Sequence, residues 1–319
     1  MNAVISPERS VSVKTYGRLH LGFFDLSGQA QRQFGSLGVA IDAYQTALTV
    51  SAKLQPSEVD PWAAAIMQRH LQSLGVDNQL ALNIQTAIPR HGGLGSGTQM
   101  ALAIGTAVNA LLDKPVNAAQ IAAIHRRGAR SGIGIATFDH GGLVMDGGRG
   151  PETVVPPLLA RHAFPEEWHF LLIEDRSLDG LHGSGEKQAF KQLTPQSAAA
   201  THKIQHQLLM QGLPALVEQD FNGFSAFIGA LQTYNAEYFS PAQGGIYASQ
   251  AVARVLEILQ HQGYCGLGQT SWGPTGFVLL PSKAAALQKQ MELSQMNHPS
   301  LSFVVAAAIN QPAHIAVHG

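Results

Sequence analysis

Several things are scarce in this chain of 319 residues. It has one cysteine, Cys265. That excludes an internal disulfide and any multi-cysteine metal cluster. Beside a glycine turn, Cys265 reads as a small core residue. Charged residues make up 13%, about half of the roughly 25% usual in soluble domains. Twenty basic residues against 21 acidic ones leave a formal charge of −1. This balance excludes a global basic footprint for nucleic acid, but not a local anion site. No run of about 18 apolar residues occurs, so no membrane-spanning helix is expected. The stretch 1–14 lacks the apolar core of a secretory signal, so the cytoplasm is the expected compartment. No internal repeat or low-complexity segment is visible.

What is plentiful is apolar and small. Hydrophobic residues reach 45%, and there are 33 glycines. The chain is long enough to bury a core without staples, and its composition argues against disorder. Its length suggests two domains. Val11 and Val13 alternate with polar neighbours, as do Leu48, Val50 and Ala52, and then Leu80, Leu82 and Ile84. These are half-buried strand patterns. Between the last two, Asp60 and Pro61 open a helix and Gly75 closes it. Trp62, Ile66, Met67, Leu71 and Leu74 form its apolar face. A buried helix is expected over 99–112. Asn117 and Gln120 have capping-box spacing for another over 118–127. Residues 128–150 read as glycine-punctuated turns. The stretch 151–165 is poor in pattern and contains Pro156-Pro157, so the domains are placed at 1–160 and 161–319. The second half offers a strand over 168–174 and helices over 196–211, 215–234 and 246–262. A strand over 277–280, a helix over 283–296 and a strand over 302–307 complete it. Strands and helices mix in both halves, giving an α+β or α/β class.

The strongest chemical signal is the run Gly92, Gly93, Leu94, Gly95, Ser96, Gly97, Thr98 between a strand and a helix. Glycines let the backbone approach a ligand and adopt positive φ. The helix N-terminus offers free N–H groups and a partial positive charge. Ser96 and Thr98 add hydroxyls, and Arg90 and His91 add charge. The set suits phosphate or pyrophosphate; a tight turn packing small residues is the alternative. It is neither a Walker A loop nor Gly-x-Gly-x-x-Gly, and Leu94 breaks the nucleophile-elbow pattern. After the first strand comes Tyr16-Gly17-Arg18-Leu19-His20-Leu21-Gly22-Phe23. Continued as a strand, it puts Arg18 and His20 on one face, where Arg18 can grip a phosphate through two N–H groups. A second loop over 266–276 carries Thr270, Ser271, Trp272, Gly273 and Thr275. Arg126, Arg127 and Arg130 read as a solvated face. Asp139 with His140 falls far short of a metal site, and Asp146 reads as a turn residue.

In this order the motifs resemble the GHMP kinase superfamily over nearly the whole chain. The resemblance implies an α+β architecture. Its N-terminal domain is like the second domain of ribosomal protein S5, its C-terminal domain is ferredoxin-like, and the ligand lies between them. Kinases of that superfamily carry Ser-Gly-x-Asp, whose Asp is the catalytic base. Here the run is Ser131-Gly132-Ile133-Gly134, and Phe23-Phe24 replaces a frequent Glu-His. The motifs 16–23, 128–134 and 269–275 are instead similar to a non-kinase branch, the β-ribofuranosylaminobenzene 5′-phosphate synthases. That resemblance implies a decarboxylating phosphoribosyl transfer. 5-Phosphoribosyl 1-pyrophosphate and 4-aminobenzoate give β-ribofuranosylaminobenzene 5′-phosphate, carbon dioxide and pyrophosphate, early in tetrahydromethanopterin biosynthesis, with Mg²⁺.

On that basis Arg18, His20 and Arg130 are expected to carry the chemistry. Arg90 and the loop from Gly92 to Thr98 would hold phosphate or pyrophosphate. Phe23, Phe24, Phe138, Ser271, Trp272 and Gly273 would form the aromatic slot, and Asp25 and Asp139 are candidate Mg²⁺ ligands. The expected partners are small molecules, with no nucleic acid or membrane, and a homodimer is the candidate assembly. An ATP-dependent small-molecule kinase and a non-catalytic phospholigand-binding protein are the competing readings.

Overall fold

The computed structural model describes residues 6, 8–53, 60–77, 79–178, 193–270, 273–296 and 299–319. Two antiparallel sheets organise them. The first joins β1 (Ser10–Asp25), β2 (Phe34–Ser51), β3 (Ala81–Thr86), β4 (Leu143–Asp146), β5 (Leu158–His162) and β10 (His314–His318). Its order is β10-β1-β2-β4-β5, with β3 pairing on β2. The second joins β6 (His169–Asp175), β7 (Leu267–Gln269), β8 (Thr275–Leu280) and β9 (Leu301–Ala307), in the order β7-β8-β6-β9. The sheets are not two consecutive stretches of chain. The C-terminal strand β10 returns to β1, and β5 crosses position 160.

Helices α1 (Pro61–Ser73), α2 (Ser96–Leu111), α3 (Ala118–Ile124) and α4 (Ile133–His140) accompany the first sheet. The second half adds α5 (Ala198–Gln207), a π-helical turn (Leu208–Gly212), α6 (Leu213–Val217), α7 (Phe221–Gln243), α8 (Gln250–His261) and α9 (Lys283–Ser294). The expected caps form. Asp60 accepts from Trp62 N at the start of α1, and Asn117 and Gln120 close a reciprocal capping box on α3. Each satisfies N–H groups that a helix end leaves over.

β1 is the strand that builds the site. Its burial alternates from Ser10 to Arg18, then runs continuously from Leu19 to Phe23. The change occurs because α7 covers the face that would otherwise meet water. Asn235 of α7 accepts from Phe23 N and donates to Phe23 O, both at 2.8 Å. Gly22 takes φ +142°, and a Cβ there would stand 2.8 Å from Asn235 Nδ2. Only glycine allows helix and strand this close.

Several expectations are corrected. The 128–150 stretch holds α4 and β4, and the pattern-poor 151–165 stretch holds β5. The helix expected over 215–234 divides at Asp220, whose side chain accepts from Gly223 N and starts α7. Cys265 is exposed, not in the core. No helix among the described residues is long and apolar enough to cross a membrane.

Candidate active site

The glycine loop leaves β3 and enters α2 through a series of left-handed residues, His91 (φ 66°), Gly93 (77°) and Gly95 (87°). Two of its carbonyls, Gly93 O and Leu94 O, are tied to other segments. Arg18 N donates to Leu94 O at 3.0 Å. Thr270 Oγ1 and Arg18 Nη1 both donate to Gly93 O, at 3.2 and 2.5 Å. Gly273 braces the loop from behind: a Cβ on Gly93 would lie 3.1 Å from Gly273 Cα. Gly95 occupies the N-cap, and no side chain caps the first turn of α2. Thr98 N turns back to Gly95 O, so the Ser96 and Gly97 N–H groups and the helix dipole are what this end offers an anion.

Two arginines close on this helix end. A Cβ on Gly95 would touch Arg18 Cγ at 3.1 Å, and one on Gly97 would touch Arg127 Nη1 at 3.0 Å. The glycines at these positions therefore seat guanidinium groups as well as bending the loop. Burial, then the charge of Arg69, lowers the pKa of Arg127. That marks a cation short of counter-charge. Arg126 and Arg130 face the same space, a cavity of about 440 Å³ also lined by Thr98 and Ser131. Among the described residues no carboxylate lines it. The three arginines expected as a solvated face are its wall.

Ser131 is held by a group the sequence reading treated as a turn residue. Buried Asp146 accepts from Gly132 N and Gly148 N at 2.8 Å, and from Ser36 and Ser131 hydroxyls. Burial pushes its pKa up, while those hydrogen bonds pull it down. Its role is to fix the 131–134 segment against β2 and β4.

The opposite wall comes from β1, α7 and β7. Phe23, Phe239 and Tyr247 make it apolar, with Phe23 and Phe239 ring centroids 6.1 Å apart. Its amides are engaged in holding the fold. Gln232 donates to Leu21 O and accepts from Gln269 N, while the Gln269 side chain accepts from Ala248 N. His20 sits where the charged and apolar walls meet. Its main-chain N donates to Thr270 Oγ1 at 2.9 Å, and its ring lies 4.5 Å from that of Phe23. It is buried, and its pKa is lowered to about 3 by burial and then by Arg18. The imidazole is therefore neutral.

Other expected site residues lie elsewhere. Arg90 pairs with Asp60 at 2.7 Å and stacks over Trp62, turned away from the cavity. Phe138 is buried in the core beneath α2, and Phe24 packs over Gly35. Asp25 caps the turn after β1, accepting from Ser27 and Gly28 N–H groups and from Gln205. Asp139 lies at the far end of α4. No group of three or more His, Cys, Asp or Glu among the described residues could hold a metal. Ser271 and Trp272 lie outside the described residues. At position 134, a Cβ would stand 3.2 Å from Thr98 Cγ2, and no acid occupies that place. Gln232, Asn235 and Phe239 of α7, and Tyr247 in the loop after it, were not foreseen, because nothing local marks a surface that is completed by a strand about 200 residues away.

Comparison with known proteins agrees with this architecture. The model of the GHMP kinases N terminal domain matches residues 61–142, and that of GHMP kinases C terminal matches 213–298. A mevalonate diphosphate decarboxylase from Enterococcus faecalis superposes with a TM-score of 0.65 at 17% identity, covering 96% of this chain and 98% of that one. The β-ribofuranosylphenol 5′-phosphate synthase of Methanocaldococcus jannaschii is 29% identical over 301 residues, 82% of this chain and 87% of the relative. That of Archaeoglobus fulgidus is 30% identical over 300 residues, 88% and 90% of the two chains. With identity sustained over both halves of the fold, the chain belongs to the family of these synthases, within the GHMP kinase superfamily.

Proposed function

We propose that this chain is a decarboxylating phosphoribosyltransferase that joins 5-phosphoribosyl 1-pyrophosphate to 4-aminobenzoate, an early step of tetrahydromethanopterin biosynthesis. The observation that carries the reading is the cavity. Arg18 and Arg127 meet an uncapped helix N-terminus, Arg126 and Arg130 line the same cavity, and no carboxylate is among the described lining. Such a site favours a polyanion and stabilises charge developing on a departing pyrophosphate.

In the reaction, the ribosyl C1–O bond breaks and its electron pair leaves with pyrophosphate. The ring carbon that bears the carboxylate attacks C1, pushed by the amino group para to it. The new C–C bond forms, the bond to the carboxylate breaks, and that pair restores the aromatic ring as carbon dioxide departs. No strong protein base is needed, which fits glycine at position 134 and a neutral His20. The protein must orient the ring against the sugar and keep water out. Phe23 and Phe239 supply that wall. Neither Asp25 nor Asp139 lines the cavity. Guanidinium groups repel Mg²⁺, and the carboxylate oxygens this hard cation prefers are missing from the described lining. A cation would arrive on the pyrophosphate oxygens, and no step above runs through it.

The relatives are named for a phenol product, and a para hydroxyl pushes electrons as an amino group does. The test offers purified protein phosphoribosyl pyrophosphate, Mg²⁺ and ATP, with 4-aminobenzoate in one tube and 4-hydroxybenzoate in another. Mass spectrometry should find a ribosylated aniline phosphate lacking the carboxyl carbon, with ATP untouched. Product only from the hydroxy acid corrects the acceptor. ATP consumption with intact phosphoribosyl pyrophosphate establishes a kinase. Binding without turnover in either tube establishes a binding protein.

A further inference from the structure

Of the buried side-chain atoms in the described cavity wall, His20 Nε2 is one with no hydrogen-bond partner. His20 itself is 4% exposed. A buried polar atom left unmatched is costly, and it persists where a ligand completes it. The neighbouring amides cannot be what completes it. Asn235 spends its side chain on Phe23 and Leu231, and Gln232 spends its own on Leu21 and Gln269. With the Arg18 cation beside a neutral ring, the partnerless Nε2 is better matched as a lone-pair acceptor, with the proton on Nδ1. The Thr270 hydrogen bond fixes the main chain at His20, and the Phe23 ring packs against the imidazole.

We propose that His20 is a specificity-determining residue whose Nε2 accepts a hydrogen bond from a hydroxyl of the phosphorylated sugar. This rests on the phosphoribosyl reading above. Position decides the class of group. Beside His20 stands Arg18, whose guanidinium lies on the glycine loop, and next to it on the other side stands Phe23. A ligand with pyrophosphate on the arginines and an aromatic ring on the phenylalanines places its sugar at the junction. A lone-pair acceptor there repels a phosphate oxygen and welcomes an O–H. A neutral donor on the aromatic acid shares that chemistry, so the test separates the two.

Calorimetric titrations of wild-type, His20→Phe and His20→Gln proteins use inorganic pyrophosphate and phosphoribosyl pyrophosphate. His20→Phe keeps the ring volume and loses the acceptor. It should bind pyrophosphate within twofold of wild type and phosphoribosyl pyrophosphate about tenfold more weakly. His20→Gln, whose amide oxygen reaches the same place, should recover most of that loss. Nitrogen NMR of wild-type histidines gives a readout that does not depend on a variant folding. The Nε2 signal should move with phosphoribosyl pyrophosphate and stay with pyrophosphate. Equal loss of both ligands in His20→Phe reduces the ring to a structural role and overturns the proposal. So does unchanged phosphoribosyl pyrophosphate affinity with a raised KM for the aromatic acid, which assigns the acceptor to that substrate. Wild-type protein that binds pyrophosphate but not phosphoribosyl pyrophosphate overturns the broader reading as well, and the wild-type titration alone tells the two failures apart.

Discussion

Replacing Gly97 with alanine should raise stability and lower anion affinity, two effects of opposite sign from one methyl group. Gly97 is the second residue of α2, with no positive φ. Alanine there gains up to about 1 kcal/mol in helix propensity over glycine. The new Cβ would stand 3.0 Å from Arg127 Nη1 and 3.2 Å from its Cζ. That contact is with the end of a long side chain, so the guanidinium gives way and the fold does not. What it gives up is its place beside the helix N-terminus. Arg127→Ala sets the full scale. A charge-assisted hydrogen bond contributes about 1.5–3 kcal/mol, or about 10–150-fold in pyrophosphate affinity. Gly97→Ala should fall between wild type and that limit. The assays are thermal unfolding and calorimetric titration with pyrophosphate at low salt, where charge attraction is least screened. If Gly97→Ala and Arg127→Ala both bind pyrophosphate within twofold of wild type, Arg127 is not part of the anion cradle.

Acid should weaken the fold through its buried histidines. Burial lowers His20 to about 3 and His125 to about 4, against an ordinary 6.5. The unfolded chain therefore takes protons the native state refuses. The stability is complete above about pH 6.5 and is lost progressively toward the folded values. Between pH 6.5 and 5, His20 alone costs about 2 kcal/mol. Urea titrations should show a flatter pH slope for His20→Phe than for wild type, and equal slopes would refute the burial effect. Arg90→Ala should leave pyrophosphate affinity unchanged and lower stability by about 1 kcal/mol, since its partners Asp60 and Trp62 sit half-exposed at the start of α1. A drop in pyrophosphate affinity would return Arg90 to the site. Gly134→Asp puts a carboxylate behind Thr98, a residue of a cavity wall that has no carboxylate among the described residues. Pyrophosphate binding should weaken more than tenfold, and an Asp variant that gained ATP turnover would sink the electrostatic reading.

Local features were legible because their causes are local. Asp60-Pro61 and Asn117 with Gln120 signal helix starts through bonds that span two or three residues, and both caps form. The glycine loop's conformation was legible because its glycines and the helix start that follows are written into 92–98, and the positive φ values and the uncapped helix end are found there. Arg90 was misplaced for a related reason. It is adjacent to the loop in sequence, but Asp60 and Trp62 offer it a charge and a ring on the other side. Phe138 looked like a slot residue, yet α4 turns it into the core under α2.

The sequence by itself determined the family, the helix-end phosphate signature and the place of Arg18 and His20 on one strand, since each depends on spacing along a few residues. Tertiary structure alone decided which cations meet that helix end and what stands opposite them. Arg127 reaches Gly97 across 30 residues, and Asn235 reaches Phe23 across 212. Such contacts are chosen by which faces remain to be buried once the sheet and helices have formed, and no local pattern encodes that choice.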